Sequence, residues 1–305
     1  MKNYTPIFLF IALMLVADRV LLSFVPDTSL SFPNYENFVR TADPKRPWLI
    51  VIGSSRGRDG VDEALLNQNL RDAGLPHQGF NLSLGGGGTP SLIYAAMKNA
   101  SPVFEQFPPG SKIVYVFSNF EMNFVRIEAL EQFPVGAELI RQNGYEPPQS
   151  WISRFAHVSG FAAFAQARGW KDFPQPMTKV LQQSSERLLI GRRLASCNDA
   201  GQYDYRILPI NAQAMDALAA RFGKDLLVVK APVGDIQQQD DQRNGVEEIG
   251  NAYLRKWGQE NAIEVMLDFP ERLALSPLSF ATNCDHIRRE EDKVVLAKAI
   301  VGLLK

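Results

Sequence analysis

Histidine and cysteine are scarce in this 305-residue chain, and charge of either sign is in near balance. The three histidines, His77, His157 and His286, lie far apart and show no metal-ligand spacing. With 32 Lys+Arg against 33 Asp+Glu, the net charge is −1, so the basic footprint of a nucleic-acid-binding protein is missing. Two cysteines, Cys197 and Cys284, are too few for a disulfide-built scaffold. There is no internal repeat, and no low-complexity tract beyond the four glycines at 85–88. What remains is an ordinary globular composition, 46% hydrophobic, long enough for one large domain or two small ones.

One long apolar run is present, from Ile7 to Val25, with Lys2 before it. It reads as a secretory signal or a signal anchor over residues 1–25. Its nineteen residues are enough to cross the roughly 30 Å hydrocarbon core, although Asp18 and Arg19 each cost about 2.5–3.5 kcal/mol at a bilayer centre. Ala17 has Leu15 two positions before it, a poor cleavage site, which favours an uncleaved anchor. With Lys2 in the cytoplasm, the domain is expected on the periplasmic or extracytoplasmic face, tethered to the inner membrane by one N-terminal helix. An oxidising compartment permits a Cys197–Cys284 disulfide, worth about 4–5 kcal/mol by loop closure, with two buried thiols as the alternative. Residues 26–46 are polar and hold prolines 26, 33 and 44, so they read as a stalk leading to a domain at 47–305.

From Trp48 onward, short apolar runs alternate with helical periods. Strands are expected at 48–52, 79–83, 112–117, 225–231 and 263–267, with helices at 90–107, 246–261 and 287–304. This pattern predicts a five-stranded parallel sheet covered on both faces, a flavodoxin-like α/β three-layer sandwich. The stretch 120–223 is too long for one crossover, and its aromatic spacing (Trp151, Phe155, Phe161, Phe164, Trp170) suggests a mostly helical insertion between strands 3 and 4.

Four chemical features fall at the carboxyl ends of strands, where open α/β sheets place their sites. Ser54-Ser55 follows the first strand, Gly85–Gly88 the second and Asn119 the third, while His286 follows the fifth. A hydroxyl, glycine amides, a carboxamide and an imidazole together suit acyl transfer through a serine nucleophile. Taken singly, each has a plainer reading. A serine after a strand can cap a helix, and a lone histidine is more often structural. Arg56 could bind an anionic substrate group or pair at the surface with Asp59. His77 stands at the wrong end of the sheet.

Gly53, Ser55 and Gly60 match the G-x-S-x-x-x-x-G block of the SGNH/GDSL hydrolase superfamily, which this chain resembles over about residues 47–119 and 225–305. Asn81-Leu82-Ser83-Leu84-Gly85-Gly86 resembles the second block, and His286 stands where the D-x-x-H block places its histidine. The resemblance implies Ser55 as nucleophile and His286 as general base. It also implies an oxyanion hole from Ser55, Gly86 and Asn119, with Asn123 as the alternative to Asn119. The pattern departs at the acid: Asn283 stands three residues before His286, where aspartate is usual, and Asp285 adjoins the histidine. An asparagine can orient an imidazole but cannot stabilise its cation by charge. No metal and no cofactor is expected. Among exported, membrane-tethered members, the chain looks like accessory proteins of cell-surface O-acylation. That implies an esterase or O-acyltransferase acting on a surface polysaccharide beside a membrane-bound O-acyltransferase. The alternative is a non-catalytic scaffold or glycan-binding subunit of such a complex.

Overall fold

The computed structural model describes residues 32–85, 88–125, 127–145, 205–275, 277–280, 286–287 and 289–304. The expected signal anchor, the aromatic stretch 151–170, His157, Gly86, Asn283, Asp285 and both cysteines lie outside these residues. Among the described residues, no helix is long and apolar enough to cross a membrane. Elements are numbered here among the described residues.

Five strands form one parallel sheet: β1 (Trp48–Gly53), β2 (Gln78–Asn81), β3 (Lys112–Phe117), β4 (Leu226–Lys230) and β5 (Glu264–Met266). Their order is β2-β1-β3-β4-β5, the flavodoxin-like arrangement expected from the sequence. All six residues of β1 are buried, as a central strand covered on both faces requires. Its alternating side chains feed two cores. Leu49 and Val51 pack with Val114, Val116, Leu227 and Val229 against helices α3 (Glu63–Asp72) and α11 (Glu290–Gly302), through Leu66, Leu70, Leu296 and Ile300. The opposite face, with Trp48, Ile50, Ile52 and Tyr115, is also fully buried. That side holds α4 (Pro90–Asn99) and α8 (Pro209–Phe222), which pack on each other.

Helix α8 occupies the last part of the expected insertion. It packs on β4 and serves as the β3-to-β4 crossover, so it belongs to the basic fold. Before it the chain forms a 3-10 turn (Asn119–Asn123) and two helices, α6 (Ile127–Leu130) and α7 (Pro134–Gln142). Residues 146–204, most of the insertion, lie outside the described residues.

The polar segment after residue 32 departs from the stalk expectation. Residues Pro33–Thr41 form helix α1, and its Phe38 is 0% exposed. The Phe38 ring meets Trp48 at 5.3 Å and Phe80 at 4.8 Å, both edge-on, and Phe104 at 5.0 Å. The Trp48 indole N–H donates to the Asp43 carbonyl at 2.9 Å. Two aromatics spaced three apart, Tyr35 and Phe38, are enough to bury one face of a helix that is otherwise polar. The domain therefore includes residues 32–46.

Candidate functional site

The crevice of a doubly wound sheet opens where the strand order reverses, here between β1 and β3. The chain leaves β1 at Gly53 and turns into a short helix, α2 (Ser55–Gly60). Ser54 is its N-cap, and its hydroxyl oxygen accepts the Arg56 N–H at 3.4 Å. Ser55 is the first helical residue. The adjacent serines thus divide the two readings of this turn, Ser54 capping the helix and Ser55 presenting its hydroxyl at the sheet edge. His286 reaches that hydroxyl, with Nε2 2.7 Å from Ser55 Oγ. Both residues are half-buried. This pair joins positions 231 apart in sequence.

The second glycine-rich segment supports the turn. Beyond β2 the chain continues beside β1, where Leu82 N donates to Val51 O and Leu84 N to Gly53 O, both at 2.8 Å. This carries the chain, up to Gly85, to the Ser55 side of the sheet. Asn81 braces α2 directly. Its Nδ2 donates to the carbonyls of Gly57 (3.2 Å) and Val61 (2.5 Å), and its Oδ1 accepts from Ser83 N at 3.1 Å. Gly57 is needed because α2 lies so close to this segment: a Cβ there would stand 2.6 Å from Ser83 Oγ. Asn81→Ala is expected to cost about 1–3 kcal/mol of stability by leaving buried carbonyls unpaired, measured by urea unfolding.

Arg56 is not a surface residue. It is 9% exposed, and its guanidinium turns inward, where Nη1 donates to the Ser118 hydroxyl. Asp59 instead accepts from Arg58 Nε at 2.7 Å. The Arg56 charge favours the ionised form of two carboxyl groups, Glu121 on the 3-10 turn and Asp241 on α9 (Asp235–Arg243).

Asn119 sits at the carboxyl end of β3, as expected, with its side chain directed toward helix α10 (Val246–Asn261). Its Nδ2 donates to Asn251 Oδ1 at 2.9 Å. Gly250 makes the approach possible, because a Cβ there would lie 2.4 Å from Asn119 Cγ. The Asn119 Oδ1 is buried without a hydrogen-bond partner among the described residues, and the Asn119 backbone carbonyl accepts the Tyr205 hydroxyl at 2.6 Å. Asn123 accepts from Arg206 N at 3.3 Å. His77, at the opposite sheet end, lies 3.0 Å from the Gly110 carbonyl. The structure thus brings Ser55 and His286 together and puts Asn119 on the same sheet edge, with one amide N–H engaged by Asn251. Among the described residues, no cluster of His, Cys, Asp and Glu could hold a metal ion.

One member of this edge was absent from the sequence reading. Glu121 is 3% exposed, and its Oε2 accepts the Tyr115 hydroxyl at 3.0 Å. Burial pushes its carboxyl from the ordinary 4.5 up to about 7, against the lowering effects of the Ser54 hydroxyl, the Arg56 charge and the Tyr115 hydroxyl. Its only sequence signal is an acid set among Phe117, Phe120, Met122 and Phe124. A group with a raised folded pKa binds more protons folded than unfolded. Its stabilising contribution is complete below about 4.5 and is lost as pH rises through about 7. Urea unfolding is expected to show a decline of roughly 3 kcal/mol across that window, flattened in Glu121→Gln.

No protein-family model matches this chain, and no curated protein matches it.

Proposed function

We propose that this protein is an SGNH-like serine esterase or O-acyltransferase that works through an acyl-Ser55 intermediate. The observation that carries the reading is the 2.7 Å contact between Ser55 Oγ and His286 Nε2 at the switch point of the sheet. A hydroxyl at that distance can pass its proton to the imidazole while its oxygen attacks an acyl carbonyl. The Oγ–C bond forms and the carbonyl π-bond opens to an oxyanion. The imidazolium then protonates the departing alkoxide oxygen as its bond to carbon breaks. A second hydroxyl repeats the sequence in reverse: water completes hydrolysis, and a sugar hydroxyl completes transfer.

The oxyanion donors in this reading are the backbone N–H groups of Ser55 and Gly86, with the Asn119 side chain. Ser55 is the first residue of its helix, where the N–H has no partner within the helix. Asn283 or Asp285 would orient His286. The acyl acceptor or donor is a surface polysaccharide, and the chain acts beside a membrane-bound O-acyltransferase. An N-terminal anchor would hold the domain near that donor and raise its effective concentration.

The test is mass spectrometry of the full chain after exposure to 4-nitrophenyl acetate. An acetyl adduct on the peptide holding Ser55, absent in Ser55→Ala, is the expected result. No adduct, with hydrolysis equal in both proteins, overturns acyl chemistry and leaves the scaffold reading. In that case Ser55→Ala would leave polymer acylation intact, and removal of residues 124–205 would abolish it.

A further inference from the structure

In sequence, His286 lies between a 3-10 turn (Pro277–Phe280) and helix α11, and these two flanks meet at one buried carboxylate. Asp292, in the first turn of α11, is 3% exposed. Before His286, the fully buried Ser279 donates its hydroxyl to Asp292 Oδ2. After His286, Arg289 Nε stands 3.8 Å from the same oxygen, and the Arg289 carbonyl accepts the Asp292 N–H at 3.2 Å. Arg289 Nη2 pairs with Glu291. One carboxylate oxygen therefore ties Ser279 to Arg289, on either side of the imidazole that meets Ser55.

This clamp is packed against the helix that carries Ser55. Ile287, next to His286, is buried in the same core as Leu296, which lies one turn beyond Asp292 on α11. Both face Gly60, the last residue of α2. A Cβ at Gly60 would stand 3.1 Å from Leu296 Cδ2 and 3.8 Å from Ile287 Cδ1. The missing side chain lets α11 and Ile287 close on α2, which sets the clamped flanks of His286 against the turn that presents Ser55.

We propose that Asp292 is the positioning residue of His286, holding the chain on both sides of it so that the imidazole keeps its contact with Ser55. The inference rests on the reading of Ser55 and His286 as nucleophile and base. Asp292 takes no proton and forms no bond in that reaction; it acts through Ser279 and Arg289. A buried carboxylate is costly to desolvate, and an apolar residue of similar size would often serve stability as well. What the carboxylate adds is a single arrangement of two separate segments. Its loss releases both flanks together, and a misplacement of about 1 Å can cost roughly 100-fold in rate.

The experiment compares acetyl transfer from 4-nitrophenyl acetate in the full chain with that in Asp292→Ala, Asp292→Asn and Ser279→Ala. Asp292→Ala is expected to lower kcat roughly 100-fold with KM little changed. Asp292→Asn keeps an oxygen for the Ser279 hydroxyl and is expected to restore most of the rate. Ser279→Ala, which breaks one tie, is expected to fall between them. A merely structural role would lower stability in urea and leave kcat of the folded protein unchanged, which overturns the proposal. If Asp292→Ala does not fold, unchanged kcat in Ser279→Ala overturns it instead. A second measurement, at one fixed pH, does not require an esterase: the side-chain nitrogen NMR signals of His286, identified by their loss in His286→Ala. Replacing Ser55 with alanine is expected to move the Nε2 signal in the otherwise native chain and to leave it unmoved in Asp292→Ala or Ser279→Ala. A Ser55-dependent shift that survives in both variants overturns the proposal, and so does its absence from the native background. If wild type forms no acetyl adduct while the shift is present and is lost in the variants, the enzymatic reading fails and the positioning role of Asp292 stands.

Discussion

Ser55→Ala is expected to abolish the acetyl adduct and to lower kcat on 4-nitrophenyl acetate by about 1,000-fold or more. In a serine protease, loss of the nucleophile or its base costs about 10⁶ in kcat, and what survives comes from oxyanion donors and binding. His286→Ala should fall almost as far, since Ser55 Oγ lies 2.7 Å from the imidazole that would take its proton. The double variant should be no worse than either single one, because in the proposed reaction the two groups act in one step. Strict additivity of the two losses would mean that they do not act together. Ser54→Ala is the control that separates the two serines. It loses a helix cap, about 1 kcal/mol, but keeps the reacting hydroxyl.

Phe38→Ala is expected to cost about 3–5 kcal/mol, the usual price of emptying a large aromatic site. Its ring is fully buried among Trp48, Phe80 and Phe104, and no rearrangement of one side chain could refill that space. For a domain of this size the midpoint of thermal unfolding should fall by roughly 10 °C. If residues 32–46 were only a tether, the same substitution would leave the midpoint within about 1 °C, because solvated changes away from such features are nearly neutral. Differential scanning calorimetry distinguishes the two outcomes.

The elements were legible because each answers to a local pattern. β3 falls at Lys112–Phe117 and α10 at Val246–Asn261, as the apolar runs predict. Buried parallel strands have apolar residues on both faces and announce themselves as short continuous runs. The expected second strand, by contrast, ends two residues early, at Asn81. Beyond it, Leu82 and Leu84 still bond to β1, but the chain has begun to bend toward the glycine run. Residues 33–41 misled for a related reason. Their composition is polar, and among the residues whose burial is described only Tyr35 and Phe38 face the core, too few to outweigh the prolines around them.

Arg56 and Glu121 were hidden for an electrostatic reason. An arginine three residues before an aspartate looks like half of a surface pair, and a single glutamate looks solvated. Both are buried here, since each finds partners on other elements: Ser118 for Arg56, and Tyr115 for Glu121. Hydrogen bonds across 62 residues leave no local trace.

The sequence alone determined the class of fold and the order of its elements, because hydrophobic periodicity and turn residues act over a few neighbours. It also singled out the pair Ser54-Ser55 and His286 by their places after strands, and the motif resemblance pointed to Ser55 of the two. Only the tertiary structure decided the 2.7 Å meeting of Ser55 and His286 and the division of labour between a capping Ser54 and a presented Ser55. These depend on contacts between distant segments, whose energy comes from burial and pairing in three dimensions. The turn after β1 could be recognised from nine residues. What holds it in place is supplied by the end of β3, the segment after β2 and His286.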